Sequence, residues 1–228
     1  MLITICGVCV VLSSSAQTQR TVRDFDGNVY PVVIIGNQEW MAENLRTTRF
    51  NDGVLIPEVT EDALWGHVNG PGYCWYDNDE QGYKNRYGAL YNGYAAQTDK
   101  LCPGGWHVPS DDDWTLLTGF LEGETATGGQ ILLRGELKSV RTAPEAHPRW
   151  DPPNTGATDR SGFSALPGGQ RGQTGSFHYI GKFGFWWSAT DQGSHVLCRG
   201  MRCDNAHVFR TNESKNKGLS VRCVRDMK

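Results

Sequence analysis

One stretch of the chain, residues 101–114, reads LCPGGWHVPSDDDW and is typical of a turn that runs into a helix. Pro103 fixes its own backbone angle φ, and the two glycines that follow permit a tight bend. Ser110 is a residue type that caps helix N-termini, and Asp113, three positions on, is a shorter form of the acid that completes a capping box. The sequence therefore predicts a helix that begins just after Ser110.

Apolar residues continue beyond that turn at helical spacing, and they are Trp114, Leu117, Phe120 and Leu121. This spacing predicts one buried face for the helix. The aspartates at 111–113 place negative charge at its positive end. They point in different directions around a helix, which favours capping over a shared metal site. Cys102 and Trp106 lie just before the helix, where a bridge and an aromatic anchor would hold its first turn in place.

The first residues have the composition of an export signal. An apolar run from Leu2 to Leu12 precedes three serines and Ala16, which predicts a signal peptide at residues 1–16. The run is too short for a permanent membrane span. No Lys or Arg precedes it, so whether the chain begins at Met1 is left open. We expect the protein to be secreted or displayed on the outer cell surface.

Residues 17–228 are expected to form one domain, because mixed and all-β domains often reach this length. The chain has 28 glycines and 8 tryptophans, a composition that favours short strands, many turns and aromatic packing over a helical bundle. Its formal net charge is −3, so neither nucleic acid nor an anionic membrane is an expected partner. No membrane span is expected in the mature chain.

The order of the predicted elements favours an α+β protein, with helices early and strands late. A hairpin is predicted at 30–43, and a helix at 87–96 precedes the one after Ser110. The residues that would share one face of that first helix are Leu90, Tyr91, Tyr94 and Ala95. Residues 123–158 are expected to be mostly loop, with a short apolar element at 131–133. Short strands are predicted at 162–166, 177–180, 184–190, 195–203, 206–211 and 218–225.

Seven blocks of sequence occur in a fixed order along the chain. They are 36–45 (GNQEWMAENL), 73–76 (YCWY), 87–92 (YGALYN), 102–114 (CPGGWHVPSDDDW), 165–169 (ALPGG), 185–190 (FWWSAT) and 220–226 (SVRCVRD). Together they resemble the Fibrobacter succinogenes major paralogous domain family, a group of secreted or surface proteins common in Bacteroidetes and Fibrobacteres. The resemblance implies an α+β, C-type-lectin-like fold, in which two helices pack on short, mostly antiparallel strands with long loops. It implies no settled activity, and a fold does not supply one.

Five cysteines would remain after signal cleavage, at positions 74, 102, 198, 203 and 223. An exported protein can keep disulfides, and an odd count leaves one thiol over. By analogy with the long bridge of lectin-like folds, we expect Cys102 to pair with Cys223. Closing that loop would add about 4 kcal/mol in the chain-entropy model. The alternative is that both are buried free thiols, and the pairing of Cys74 is left open.

Cys198 and Cys203 have the spacing of the copper-binding pair in formylglycine-generating enzymes, whose fold the resemblance implies. Two thiolates suit Cu⁺, so a copper-dependent thiol oxidase is the alternative function. The Gly-Gly-Ser lead-in and the Arg-rich stretch of those enzymes are absent here. Residues five apart on one strand also face opposite sides. The other interpretations are a local disulfide across a turn at Gly200, or two strand cysteines that do not pair with each other.

Two further groups of residues are candidates for ligand binding. The acidic turn of Asp77, Asn78, Asp79 and Glu80 could supply oxygen ligands to Ca²⁺, or it could simply be solvated. Exposed rings could stack on sugar faces, and the aromatic candidates are Trp75, Tyr76, Phe177, Tyr179, Trp186 and Trp187. The alternative is that most of these rings are core, including one of the two adjacent tryptophans. No other cofactor and no catalytic residue is expected.

These features favour a non-catalytic secreted or cell-surface module. Its expected partners are a glycan, a surface protein or copies of itself, as in the subunit of a surface fibre or layer. Whether the protein is an enzyme is left open, with binding favoured over catalysis.

Overall fold

Strands dominate the computed structural model, which describes residues 19–122 and 135–227. The protein is 32% strand and 15% helix, so the expected α+β, C-type-lectin-like architecture with two packed helices is wrong. No helix within the described ranges is long and apolar enough to cross a membrane. The predicted signal peptide and the apolar element at 131–133 lie outside the described residues.

The strands and helices of the described ranges follow one another in this order. They are β1 (Thr21–Arg23), β2 (Val29–Ile35), β3 (Gln38–Met41), α1 (Asp62–Trp65), β4 (Tyr73–Cys74), a 3₁₀ turn (Tyr76–Asn78), α2 (Glu80–Tyr87), β5 (Leu90–Asn92), α3 (Gly93–Ala96), α4 (Asp111–Glu122), β6 (Gln170–Arg171), β7 (Phe177–His178), β8 (Phe183–Gln192), β9 (His195–Arg202), β10 (Val208–Ser214), β11 (Gly218–Leu219) and β12 (Val224–Asp226).

These strands form three sheets in the part of the chain that the structure describes. The first has the order β1-β2-β3-β12, the second β8-β9-β10, and the third β4-β5-β11-β6-β7. Neighbouring strands in each sheet are antiparallel. The second sheet lies between other elements, and we call it the central sheet. Trp186 of β8 forms an isolated backbone β-bridge with Ser220, next to β11 of the third sheet, and α4 packs on β8 and β9.

The predicted hairpin is confirmed. β2 and β3 pair from Val32 opposite Met41 to Ile35 opposite Gln38, and they turn at Gly36-Asn37. Gly36 has φ +61°, a conformation that glycine adopts without strain. The turn therefore sets the register of the first sheet, whose outer strand β12 then pairs with β3.

The helix predicted after Ser110 is also confirmed, as α4. Ser110 Oγ accepts from Asp113 N at 3.1 Å, and Ser110 N donates to Asp113 Oδ2 at 2.8 Å, which completes the capping box. Trp114 and Leu117 are buried as expected. Phe120 is 62% exposed, because its ring lies over the hairpin turn at Gly36.

The first predicted helix is wrong. Residues 90–92 form β5, which lies between β4 and β11, and the helical turn after them is only α3. The residues of β5 are all buried, so both faces of this strand are covered. A short apolar run of this kind cannot be told from one face of a helix by its spacing alone. The longer helix in this region is α2, whose C-cap is Gly88 with φ +77°. It was not predicted, and only its first residue, Glu80, belongs to the expected acidic turn.

The late strands are confirmed in part. β8, β9 and β10 correspond to three of the predicted strands, although β10 runs on to Ser214. Residues 162–166 contribute only a bridge at Ala165, because Ser164 adopts φ +52° and hydrogen-bonds Asp159. The predicted strand at 218–225 is divided into β11 and β12.

Core packs against both faces of the central sheet. On one face Trp187 and Cys198 belong to a cluster with the disulfide sulfurs. On the other, Trp186 and Met201 pack with Trp114 of α4. Adjacent strand residues point in opposite directions, so covering both faces is what buries both tryptophans.

Candidate functional site

The predicted disulfide between Cys102 and Cys223 is present, with a sequence separation of 121. It joins the turn before α4 to the segment before β12. The backbones of His107 and Val224 exchange two hydrogen bonds of 2.9 Å beside it. The guanidinium of Arg225 lies 4.9 Å from the ring centroid of the buried Trp106. The start of α4 is therefore held by a covalent bond, by backbone pairing and by an aromatic anchor.

The proposed pairing of Cys198 with Cys203 is wrong. Both are free thiols within the described ranges, and they belong to the two clusters on opposite faces of the central sheet. Burial raises the pKa of both thiols, which disfavours the thiolate that copper needs. The local bridge and the copper site are excluded together, because the two sulfurs face away from each other.

The acidic turn before α2 is engaged in helix capping and local pairs. Asp79 accepts from Gly82 N at 2.9 Å as the N-cap, and Glu80 pairs with Lys84 at 2.7 Å. Asn78 Nδ2 donates to Thr60 O at 2.9 Å. Burial and then the charge of Asp79 raise the pKa of Asp77. Among the described residues, no group of three or more His, Cys, Asp or Glu side chains is placed to hold a metal ion.

The aromatic candidates fall into two groups. Trp75, Tyr76, Trp186 and Trp187 are buried and cannot offer a ring face to a ligand in this conformation. The two adjacent tryptophans also use their Nε1 atoms internally, in hydrogen bonds to Asn44 and to Tyr91 O. Phe177 is partly buried under Arg171, whereas Tyr179 is 48% exposed.

A cleft of about 550 Å³ lies next to Tyr179, at the edge of the central sheet. We call it the aromatic cleft, and its lining residues are Phe183, Arg202, Asn205, His207, Val208, Phe209 and Arg210. They come from the start of β8, the end of β9, the following turn and the edge strand β10. The site is thus built by one antiparallel meander.

Phenylalanine rings form the apolar part of the aromatic cleft. Phe183 stacks parallel to Phe185 at 5.5 Å between centroids, and Tyr179 lies 5.0 Å from Phe183 on the other side. Phe209 meets Phe185 edge-on at 6.0 Å. Gly200 lies beneath Phe209, and any larger residue there would overlap the ring. The result is a row of partly exposed rings on a rigid sheet.

Arginine–carboxylate pairs form the polar rim of the same cleft. Arg202 lies 5.2 Å over the Phe183 ring and donates from Nε to Asp204 at 2.9 Å. The hydrogen bond from Arg202 lowers the pKa of Asp204. Arg210 donates from Nε to both carboxylate oxygens of Asp111, at 3.0 and 3.1 Å. Arg202 therefore has a carboxylate of its own, whereas Arg210 shares Asp111 with the buried Arg199.

Asp111 links this rim to α4. Burial raises the pKa of its carboxyl, but hydrogen bonds from Arg210 and Arg199 outweigh burial and lower that pKa overall. His207 contributes a further polar atom, since its buried Nδ1 has no hydrogen-bond partner within the described residues.

The residues that line the aromatic cleft were not predicted from sequence. The available signal was weak: Phe209 and Arg210 alternate on one strand, and a turn at Asp204-Asn205 precedes them. Only the register of β8, β9 and β10 brings Phe183 opposite Arg202.

A family model described as the Fibrobacter succinogenes major domain matches residues 33–225. The chain belongs to this family. The matched region runs from β2 to β12, so in this Fibrobacter succinogenes major domain the disulfide and the aromatic cleft both lie inside the family's boundaries. Neither the curated proteins nor the solved structures that were compared with the chain gave a match.

Proposed function

We propose that this protein is a non-catalytic module that binds neutral glycans in the aromatic cleft. Partly exposed rings beside compensated arginine–carboxylate pairs are the observation that carries the proposal. Sugar rings present apolar faces that stack on aromatic side chains, and their hydroxyls need both donors and acceptors. Arg202 and Asp204 offer both within one fixed pair.

The paired arginines of the rim favour an uncharged ligand. Arg202 pairs with Asp204, and Arg210 shares Asp111 with Arg199, so an anionic ligand would have to compete with both carboxylates. A neutral hydroxyl can instead accept from a free guanidinium N–H while the pair stays intact.

We also propose that the protein acts outside the cell. A disulfide that closes a long loop persists in oxidising compartments, and the predicted signal peptide is consistent with export. Protease treatment of intact cells tests the location, since an exposed protein is digested while a cytoplasmic marker survives. Self-assembly into a fibre or layer stays a prediction, which a size measurement on the mature chain tests.

The binding test uses an array of neutral oligosaccharides, followed by titration calorimetry with the best ligand. Phe183→Leu keeps the apolar volume but removes the flat ring, and we expect it to weaken binding about 3–10-fold, the loss of one aromatic contact. Arg202→Gln should weaken it to a similar degree.

Phe25→Leu is the matched control, because Phe25 is exposed but does not line the cleft. We expect its affinity to equal that of the unaltered protein. A folded protein that binds nothing on the array, or a Phe183→Leu variant with unchanged affinity, would show that the cleft is not a glycan site.

A further inference from the structure

A second cleft, of about 640 Å³, lies on a different part of the surface and is lined by more cationic than anionic side chains. It is formed by the segment after β3, the C-terminal half of α2, and the loops around residues 139–141 and 159–166. We call it the basic cleft. Four cationic side chains line it, Arg46, Lys84, Arg86 and Arg141, against two carboxylates, Glu43 and Asp159.

Both carboxylates of the basic cleft already have partners. Glu43 pairs with Arg46 at 2.8 Å. Asp159 accepts from Ser164 N at 2.8 Å and from the Ser164 hydroxyl at 2.5 Å. Glu43 is therefore paired with a cation, whereas Asp159 is held by neutral donors and keeps a negative charge that offsets one of the remaining cations.

Two of the arginines have no carboxylate partner. Arg141 donates to Ala146 O at 3.2 Å, and no ion pair joins Arg86 or Arg141 to an acid within the described residues. Lys84 is different, since it pairs with Glu80 outside the cleft. Among the described residues, the basic cleft thus has two arginines without an ion pair, Arg86 and Arg141, against one carboxylate, Asp159, without a cationic partner.

A fully buried arginine lies directly behind the wall of the basic cleft. Arg222 donates from Nε to Asn44 Oδ1 at 3.0 Å and from its terminal nitrogens to the carbonyls of Phe163 and Ser164. Asn44 and Ser164 both line the cleft. Burial lowers the pKa of Arg222 to about 9, so the guanidinium stays charged at neutral pH.

All three groups that hydrogen-bond Arg222 are neutral acceptors in the described structure. Burial lowers its pKa more than the charges of Asp159 and Glu43 raise it. A low-dielectric wall carries the remaining positive field into the adjacent cleft. An anion in the cleft would face this field as well as Arg86 and Arg141. The arrangement therefore favours negatively charged ligands.

We propose that the basic cleft binds an acidic glycan through its carboxylate or sulfate groups. The open shape and the separated cations fit a chain with repeated charges better than a single small anion. The choice of a glycan rests on the proposed extracellular location, whereas the anion site itself rests only on the charges described above.

The experiment measures binding of an oligogalacturonate, a sulfated oligosaccharide, a neutral oligosaccharide and a Glu-rich peptide to the full chain. We expect one or both acidic glycans to bind, with affinity that falls steeply between about 50 and 500 mM salt because the contacts are ionic. The neutral sugar should not compete. Tighter binding of the peptide than of either glycan would overturn the glycan assignment.

Arg86→Gln combined with Arg141→Gln should weaken acidic-glycan binding about tenfold, because two exposed ionic contacts are lost. Glu43→Gln should tighten it, since Arg46 is then released toward the ligand. Unchanged affinity in the double arginine variant, or no acidic-glycan binding at low salt, would overturn the site.

Phe183→Leu in the aromatic cleft separates this proposal from the preceding one. We expect it to leave acidic-glycan binding unchanged. If it abolished that binding, both ligands would use the aromatic cleft, and the basic cleft would not be a separate site.

Discussion

Gly200 supports the aromatic cleft from beneath, and adding one methyl group there tests its geometry directly. Gly200 lies opposite Phe209 in the β9–β10 register and opposite Phe185 in the β8–β9 register. A Cβ atom at position 200 would overlap the Phe209 ring. Since Phe209 also rests against Phe185 at 6.0 Å, Gly200→Ala should force the ring outward.

The size of the effect follows from two opposing contributions. Overpacking a filled site destabilises by about 1–3 kcal/mol. Replacing a strand glycine with alanine returns about 0.5–1 kcal/mol by restricting the unfolded chain. We therefore expect Gly200→Ala to lower the free energy of unfolding by about 1–2 kcal/mol and to weaken glycan binding in the aromatic cleft.

Urea denaturation of a double-mutant cycle is the assay. In a Phe209→Ala background the methyl at position 200 has room, so it should be neutral or stabilising, with a coupling energy of about 1 kcal/mol or more. Gly119→Ala in α4 is the control. Its Cβ would lie in open space among the described residues, so it should stabilise the protein by about 0.5–1 kcal/mol. If the losses in unfolding free energy from the changes at positions 200 and 209 were simply additive, the reasoning would be refuted.

Three further predictions concern the disulfide, the free thiols and the start of α4. Cys102→Ser should destabilise by about 4–5 kcal/mol in the chain-entropy model for a 121-residue separation, measured by urea denaturation, and a loss under about 1 kcal/mol would contradict it. A thiol reagent should modify the partly exposed Cys203 in the folded protein and spare Cys74, whose pKa burial raises to about 12; equal rates would contradict this. The hydrogen bond to Asp113 raises the pKa of His107. The contribution of this pair to folding stability should therefore be fully present below about pH 6.5 and lost as pH rises through the folded pKa. We expect it to be under about 1 kcal/mol, because the ring is half-exposed. His107→Gln should remove that dependence from stability measured against pH.

At low pH the carboxyl partner of His107 dominates. Burial raises the pKa of Asp113, but hydrogen bonds from His107 and Ser110 outweigh burial and lower it overall. Its contribution to stability is therefore present above about pH 4 and lost as pH falls through the folded pKa. The pair of His107 and Asp113 should therefore stabilise the start of α4 most between about pH 4 and pH 6.5.

Features that depend on a few neighbouring residues were readable from the sequence alone. The capping box of Ser110 and Asp113 and the hairpin turn at Gly36-Asn37 are of this kind, because each signal is complete within a short segment. The family membership was also readable, because sequence blocks in a fixed order along the chain carry it. The Cys102–Cys223 pairing came from the resemblance, since distance along the chain does not indicate which cysteines meet.

The remaining features depended on contacts between distant segments. Local periodicity could not show that β5 is buried on both faces, because Tyr91 and Leu90 pack into two different clusters whose other members lie elsewhere in the chain. Two adjacent tryptophans cannot share one face of a strand, so burial of both Trp186 and Trp187 required core on each side of the central sheet.

The sequence by itself determined the local caps and turns of this protein, because those signals act between residues a few positions apart, and its family, because the matching blocks keep their order along the chain. Only the tertiary structure decided which aromatic rings reach the surface, which thiols pair and which arginines line a cleft without an ion pair among the described residues. Each of those outcomes is set by strand register and by packing between segments far apart in the sequence, as in the hydrogen bond between Arg222 and Asn44, which are 178 residues apart.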